Sequence, residues 1–228
     1  MGIVVALLPS PLLGPAVWQP VADRLSGYGR AVLPVPVLRT APLTPDRVLR
    51  HFLDVLPAGA DLVLVPHSNA GLYVPALSAH HRVIAYSFVD AGLPPRHGHV
   101  PLAPPGAYEF LREKADDEGL LPPWTQWWEA ADVAPLFPSA DVRRRVEREQ
   151  QRLPLSYFAG TLPVPSGWDD RPGTYVAFGD TYADDRLAAS RRGWPVTTLP
   201  GGHLHTLIDP ERVAAEIDTF LTAVGLSR

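Results

Sequence analysis

Short unbroken apolar runs alternate with stretches where apolar residues recur every three or four positions. The runs occupy residues 3–8, 31–35, 62–65, 83–89, 175–178 and 196–199. An apolar run without polar alternation predicts a strand covered on both faces. The helical pattern falls over residues 18–25, again after residue 44, from residue 69 to Ser78, and after Asp209. Thr44 and Pro45 form a helix start, a capping hydroxyl followed by a ring with no N–H to waste. Val48, Leu49, Phe52, Leu53 and Leu56 then share one face. Asp209-Pro210 opens the last helix, with Val213, Ile217, Phe220, Leu221 and Val224 as its apolar positions. Strand and helix in alternation predict the α/β class, with a mostly parallel, doubly wound sheet.

One stretch breaks the rhythm. Residues 93–172 are rich in Pro and Trp, carry the densest charge runs and show no convincing strand. They are too many for a plain loop. They are expected to form a mainly helical cap insertion over one edge of a core made of residues 1–92 and 173–228.

Composition narrows the chemistry. The chain has 228 residues, 46% hydrophobic and 19% charged, enough for one sizeable core. Its net charge of -4 gives no basic field for a polyanion, so nucleic acid is not expected as a partner. There is no cysteine, which removes disulfides, thiolate metal sites and a thiol nucleophile. Lys114 is the single lysine among 20 basic residues, and no phosphate-loop lysine motif is present. Residues 1–22 are uncharged, yet Pro9, Pro11, Pro15 and Pro20 interrupt them and the stretch has no basic opening segment. A signal peptide or membrane span is not expected, and the expected location is cytoplasmic.

Two loops could carry a reaction. The third run leads directly into Pro66-His67-Ser68-Asn69-Ala70-Gly71 and then a helix. A strand, a tight turn bearing a nucleophile, and a helix need small residues on either side of the nucleophile, because strand and helix approach closely there. Pro66 and Ala70 stand two before and two after Ser68. The same serine also fits a plain helix N-cap. The second loop is Pro200-Gly201-Gly202-His203-Leu204-His205, after the sixth run. A histidine there can reach a serine at the end of a neighbouring strand; two loop histidines without a role are the alternative.

With these residues in place the chain resembles the α/β-hydrolase superfamily, of the capped, serine-nucleophile type. The resemblance covers residues 1 to about 92 and 173–228. It implies Ser68 as nucleophile and His203 as general base, with His205 second, and no cofactor or metal. It leaves three acids in play: Asp180, Asp90 and Asp184. Asp180 is favoured for lying just after the strand that follows the insertion, and Asp90 comes next. The implied oxyanion donors are the Asn69 N–H and a group from the loop after the first strand. There the aligned residue is Pro11, which has no N–H. Either Leu12 N–H or Ser10 Oγ replaces it, or the reaction forms no stabilised oxyanion.

In the insertion, Trp124 and Trp128 are expected on one helix face, lining a pocket or packing the cap. Arg145 and Glu149 are expected to pair on a solvated helix. His97 and His99 read as a surface loop rather than a metal site. The expected function is hydrolysis of a small or medium apolar ester, thioester or lactone through an acyl-enzyme. The alternatives are a non-hydrolytic enzyme on the same scaffold, such as a lyase, decarboxylase, cyclase or cofactor-free oxygenase using Ser68 and His203 as acid and base, and a non-catalytic small-molecule binding protein.

Overall fold

Each of the six apolar runs forms a strand of one parallel sheet. The computed structural model describes residues 2–104 and 106–226. The strands are β1 (Ile3–Leu8), β2 (Val32–Pro34), β3 (Asp61–Ser68), β4 (Val83–Ala91), β7 (Gly173–Phe178) and β8 (Val196–Leu199), in the order β2-β1-β3-β4-β7-β8. Leu62, Val63, Leu64 and Val65 are all fully buried although they point alternately to the two faces, so both faces are covered. The second run yields a strand of only three residues. The third and fourth run on beyond their apolar cores, through His67 and Ser68 in β3 and through Asp90 in β4. Apolar patterning gives no reason to continue a strand through those polar residues.

Helix α1 (Gln19–Gly27) packs on the last helix, α10 (Pro210–Ala223), while α2 (Pro45–Val55) packs on α3 (Val74–Ser78). Thr44 Oγ1 accepts from Arg47 N at 3.4 Å, capping α2, and Val48 and Phe52 fill the core beneath it. Asp209 Oδ1 caps α10 from Arg212 N at 3.0 Å. Helix α8 (Ala183–Arg191), between β7 and β8, has no apolar stripe: Ala189 is buried and Leu187 is exposed. The short α9 (His205–Ile208) precedes α10.

The segment between β4 and β7, expected from the sequence to be mainly helical with no strand, departs from that in holding two strands. It contains β5 (Gly98–Pro101) and β6 (Thr161–Val164), paired antiparallel from Gly98↔Val164 to Pro101↔Thr161. Strands of four residues, each containing a proline, are too short to show a period, and they exist only as a pair. Between them lie α4 (Ala107–Lys114), α5 (Ala130–Val133), α6 (Ala140–Glu149) and α7 (Leu155–Phe158). Trp124–Gln126 forms a 3-10 turn and no α-helix, so Trp124 is buried while Trp128 is exposed. In α6 Arg143 pairs with Glu147 at 2.7 Å, and Arg144 pairs with Asp141. Glu149 instead turns to the core and accepts from Ala16 N at 2.6 Å.

From β1 the chain passes to β2 on one side, and β3 then lies on the other. Reversals of this kind open a crevice at the carboxyl ends of the strands. The loop after β1 and the end of β3 meet there.

Candidate active site

Ser68 ends β3 with φ 59 and ψ −132, a conformation that costs about 1–3 kcal/mol for a residue with a side chain. Its surroundings hold it there. Gly92 N donates to Ser68 O at 3.1 Å, and a 3-10 turn over Asn69–Tyr73 leads into α3. Gly71 makes the close approach possible: a Cβ on it would lie 2.1 Å from Gly92 O. Pro66 is accommodated near the end of β3, opposite Leu8 of β1. Ser68 is 5% exposed and faces the crevice.

Asp90 occupies the corresponding end of β4, also at positive φ, 42°. It is completely buried. Its Oδ2 lies 2.6 Å from His203 Nδ1, and its Oδ1 accepts from Phe178 N at 2.9 Å. The favoured acid from the sequence, Asp180, is not the partner of His203. Gly179, at φ 68, turns the chain outward, and Asp180 pairs with Arg186 at 3.2 Å with its side chain 87% exposed. Asp184 is exposed at the start of α8. The position of Asp90 carried one legible sign, a carboxylate directly continuing an apolar strand run. His205 is buried against Phe178, ring centroids 5.2 Å apart, and crowds the backbone of Gly201.

The His203 ring is fixed on several sides. His67 stacks on it, with centroids 4.5 Å apart and planes at 24°. His67 Nε2–H donates to His203 O at 2.8 Å, since a carbonyl can only accept. Burial first, and the nearby His203 second, hold the His67 pKa well below the usual histidine value. His67 is therefore a neutral donor. Trp124 and Tyr182 flank His203 at centroid distances of 5.7 and 5.6 Å. Ser68 Oγ hydrogen-bonds Tyr182 OH at 3.4 Å, and in this conformation it makes no hydrogen bond to His203.

Solved structures share this architecture. No protein-family model matches the chain, and no curated protein matches it by sequence. The pyrethroid hydrolase PytH superposes with a TM-score of 0.73 at 20% identity, over 98% of this chain and 98% of that one. An extracellular α/β-hydrolase from a Paenibacillus species, described as sharing structural and functional homology with tobacco salicylic acid binding protein 2, gives 0.71 at 15%, over 94% and 97%. The methylesterase MES16 from Arabidopsis gives 0.63 at 16%, over 99% and 100%. The chain has the α/β-hydrolase fold.

On that fold the loop after β1 lies beside the nucleophile position. Here it is closed on itself. Leu12 N donates to Ser10 Oγ at 3.3 Å, Leu13 N and Gly14 N both donate to Ser10 O at 3.0 Å, and Pro11 has no N–H to offer. Ser10 is fully buried and does not line the crevice, whereas Leu12 does. The side chain of Asn69 is occupied as well: Nδ2 donates to Leu102 O at 3.1 Å, and Oδ1 accepts from Tyr157 OH at 2.7 Å. Both partners belong to the segment between β4 and β7, so the elbow of this α/β-hydrolase fold is tied to its insert.

The crevice is a cavity of about 840 Å³. Ser68 and His203 line it, with Trp124, Trp127, Trp128 and Phe110 from the insert. Trp128 stacks on Phe110 at 5.3 Å. One carboxylate in the lining, Asp185, has its pKa pushed up to about 6, mainly by burial, while Leu93 N donates to it at 2.6 Å. Burial also holds the Tyr182 hydroxyl well above the ordinary tyrosine range, so it stays protonated. Tyr182, Asp185 and His67 were not singled out from the sequence. For Tyr182 the available sign was its loop, at the carboxyl end of β7. Among the described residues no group of three or more His, Asp or Glu is placed to hold a metal ion, and no helix is long and apolar enough to cross a membrane.

Proposed function

We propose that the protein is a serine hydrolase that cleaves a small or medium apolar ester, thioester or lactone through an acyl-enzyme. The observation that carries this reading is the 2.6 Å contact between Asp90 and His203 Nδ1, in the same cavity wall as Ser68 on its strained turn. Asp90 accepts a hydrogen bond from Nδ1–H, which keeps the proton on Nδ1 and leaves Nε2 free to act as a base. Ser68 Oγ leaves Tyr182, gives its proton to Nε2 and attacks the carbonyl carbon. His203 then protonates the leaving oxygen or sulfur and activates water to release the acid. The insert serves as a cap whose tryptophans and Phe110 give the apolar binding surface. The esterases and hydrolases among the structural neighbours support the reaction class, and the closed β1 loop bears on its details. A fluorophosphonate probe is expected to label Ser68, and Ser68→Ala to abolish both labelling and ester turnover. An unlabelled wild type, inert on a panel of short and medium esters, overturns the reading.

A second reading has one observation in its favour: in the loop after β1, Pro11 lacks an N–H and Leu12 N is bonded to Ser10 Oγ. A reaction with no tetrahedral oxyanion would not need a donor there. Ser68 and His203 would then act as an acid and base pair on a non-hydrolytic substrate. Turnover with no acyl-enzyme in intact-protein mass spectra would favour this reading.

A further inference from the structure

The strand β1 loop leaves the proposed hydrolase short of a donor for the charge that develops on the substrate oxygen. An oxyanion normally meets two preorganised donors, and one missing donor typically costs about 10²–10³ in rate. Asn69 N–H, next after the nucleophile, supplies one. The other cannot come from Pro11; Leu12 N is bonded to Ser10 Oγ, and Ser10 is fully buried away from the cavity lining. Within the cavity a different hydroxyl touches the reacting atom: Tyr182 OH lies 3.4 Å from Ser68 Oγ.

We propose that Tyr182 is a catalytic residue, its hydroxyl donating to the substrate oxygen that becomes negative when Ser68 attacks. This role rests on the hydrolase reading above. Before attack the hydroxyl is paired with Ser68 Oγ. As Ser68 turns to His203, that hydrogen bond is released and the O–H is free at the reacting centre. The Ser68 Oγ–carbon bond forms, the carbonyl π pair moves to the substrate oxygen, and the Ser68 proton goes to His203 Nε2. Tyr182 keeps its proton and only hydrogen-bonds the new oxyanion. When the intermediate collapses, the carbonyl reforms, the bond to the leaving group breaks, and His203 gives up its proton. The site fits this use in two further respects. The tyrosine ring is braced against His203 at 5.6 Å, so its hydroxyl direction is fixed. It also stands at the N-cap of α8, on a loop joined to the sheet rather than to the insert, so movement of the insert leaves it in place.

Tyr182→Phe removes the hydroxyl and keeps the ring against His203. The variant is expected to melt as the wild type does and to be labelled at Ser68 by a fluorophosphonate on long incubation. Its kcat on 4-nitrophenyl butyrate should fall by about 10²–10³ with KM changed by no more than about threefold. An alkyl trifluoromethyl ketone, which forms a tetrahedral oxyanion adduct with serine, should bind more weakly by the same factor as the fall in kcat. Loss of kcat by less than about tenfold, or unchanged ketone affinity, overturns the assignment while a labelled, active wild type leaves the hydrolase reading intact. A wild type that is neither labelled nor active overturns both.

Discussion

Ser68 and Asp90 are the two non-glycine residues at positive φ among those described, and they end adjacent strands. Strain of this kind persists only where neighbours over-determine it. For Asp90 the neighbours are the Phe178 N–H and His203, which engage both carboxylate oxygens. Asp90→Asn would present an amide to Nδ1, favour the wrong tautomer and lower kcat by about 10³–10⁴. Asp180→Asn, on an exposed ion pair, should leave kcat within about twofold. Parallel ester kinetics on the two variants check both. The sequence marked the loop of Ser68 by the apolar run before it, the helix after it and the small Ala70, in spite of Pro66, and the loop of His203 by Gly201 and Gly202. It ranked Asp180 above Asp90, whereas Asp90 is the partner of His203, because β4 runs two residues past its apolar core while Gly179 turns Asp180 outward. Asp185 gives a pH prediction. Its carboxyl titrates near 6 in the folded chain, above the unfolded value, so the folded state holds the extra proton between them. Stability from this group therefore declines as pH rises from about 4 to about 6 and stays lost above. Asp185→Asn should flatten that decline and raise stability at pH 8 by on the order of 1–2 kcal/mol, measured by denaturant unfolding across pH.

Elements with long buried runs were legible, since four consecutive buried apolar residues leave little but a covered strand. The helices with caps and stripes were legible for the same kind of reason: Thr44-Pro45 and Asp209-Pro210 mark their starts, and their apolar faces follow. Elements without an internal pattern were not. Helix α8 has no apolar stripe, and β5 and β6 are strands only through each other. The caps and close contacts are testable as elements. Asp209→Ala removes the acceptor for Arg212 N and should cost about 0.5–2 kcal/mol in equilibrium unfolding. Gly71→Ala should cost more than a surface change, about 1–3 kcal/mol, because its methyl would meet Gly92 O and the Phe88 ring where helix and strand touch. Wild-type stability in Gly71→Ala would mean the turn can open without penalty.

At the scale of the molecule, the insert and sheet are joined at more than their covalent ends. Glu149 accepts the Ala16 N–H, Arg39 donates to Glu149 O at 3.2 Å, and Gln151 Nε2 donates to Leu38 O at 2.8 Å. Glu149→Ala strands the Ala16 N–H and should lower stability by about 1–3 kcal/mol. Faster amide exchange at Ala16 and Val17 would show the latch released; unchanged exchange would show that Glu149 does not hold it. That residues 93–172 break the strand–helix rhythm was visible in their length and proline content. How they dock was not, because the contacts join residues more than a hundred positions apart. The antiparallel pair β5 and β6 has a consequence as well. It fastens the outgoing and returning chain together at Pro101 and Thr161, so the two ends of the stretch between them are held side by side whatever its length.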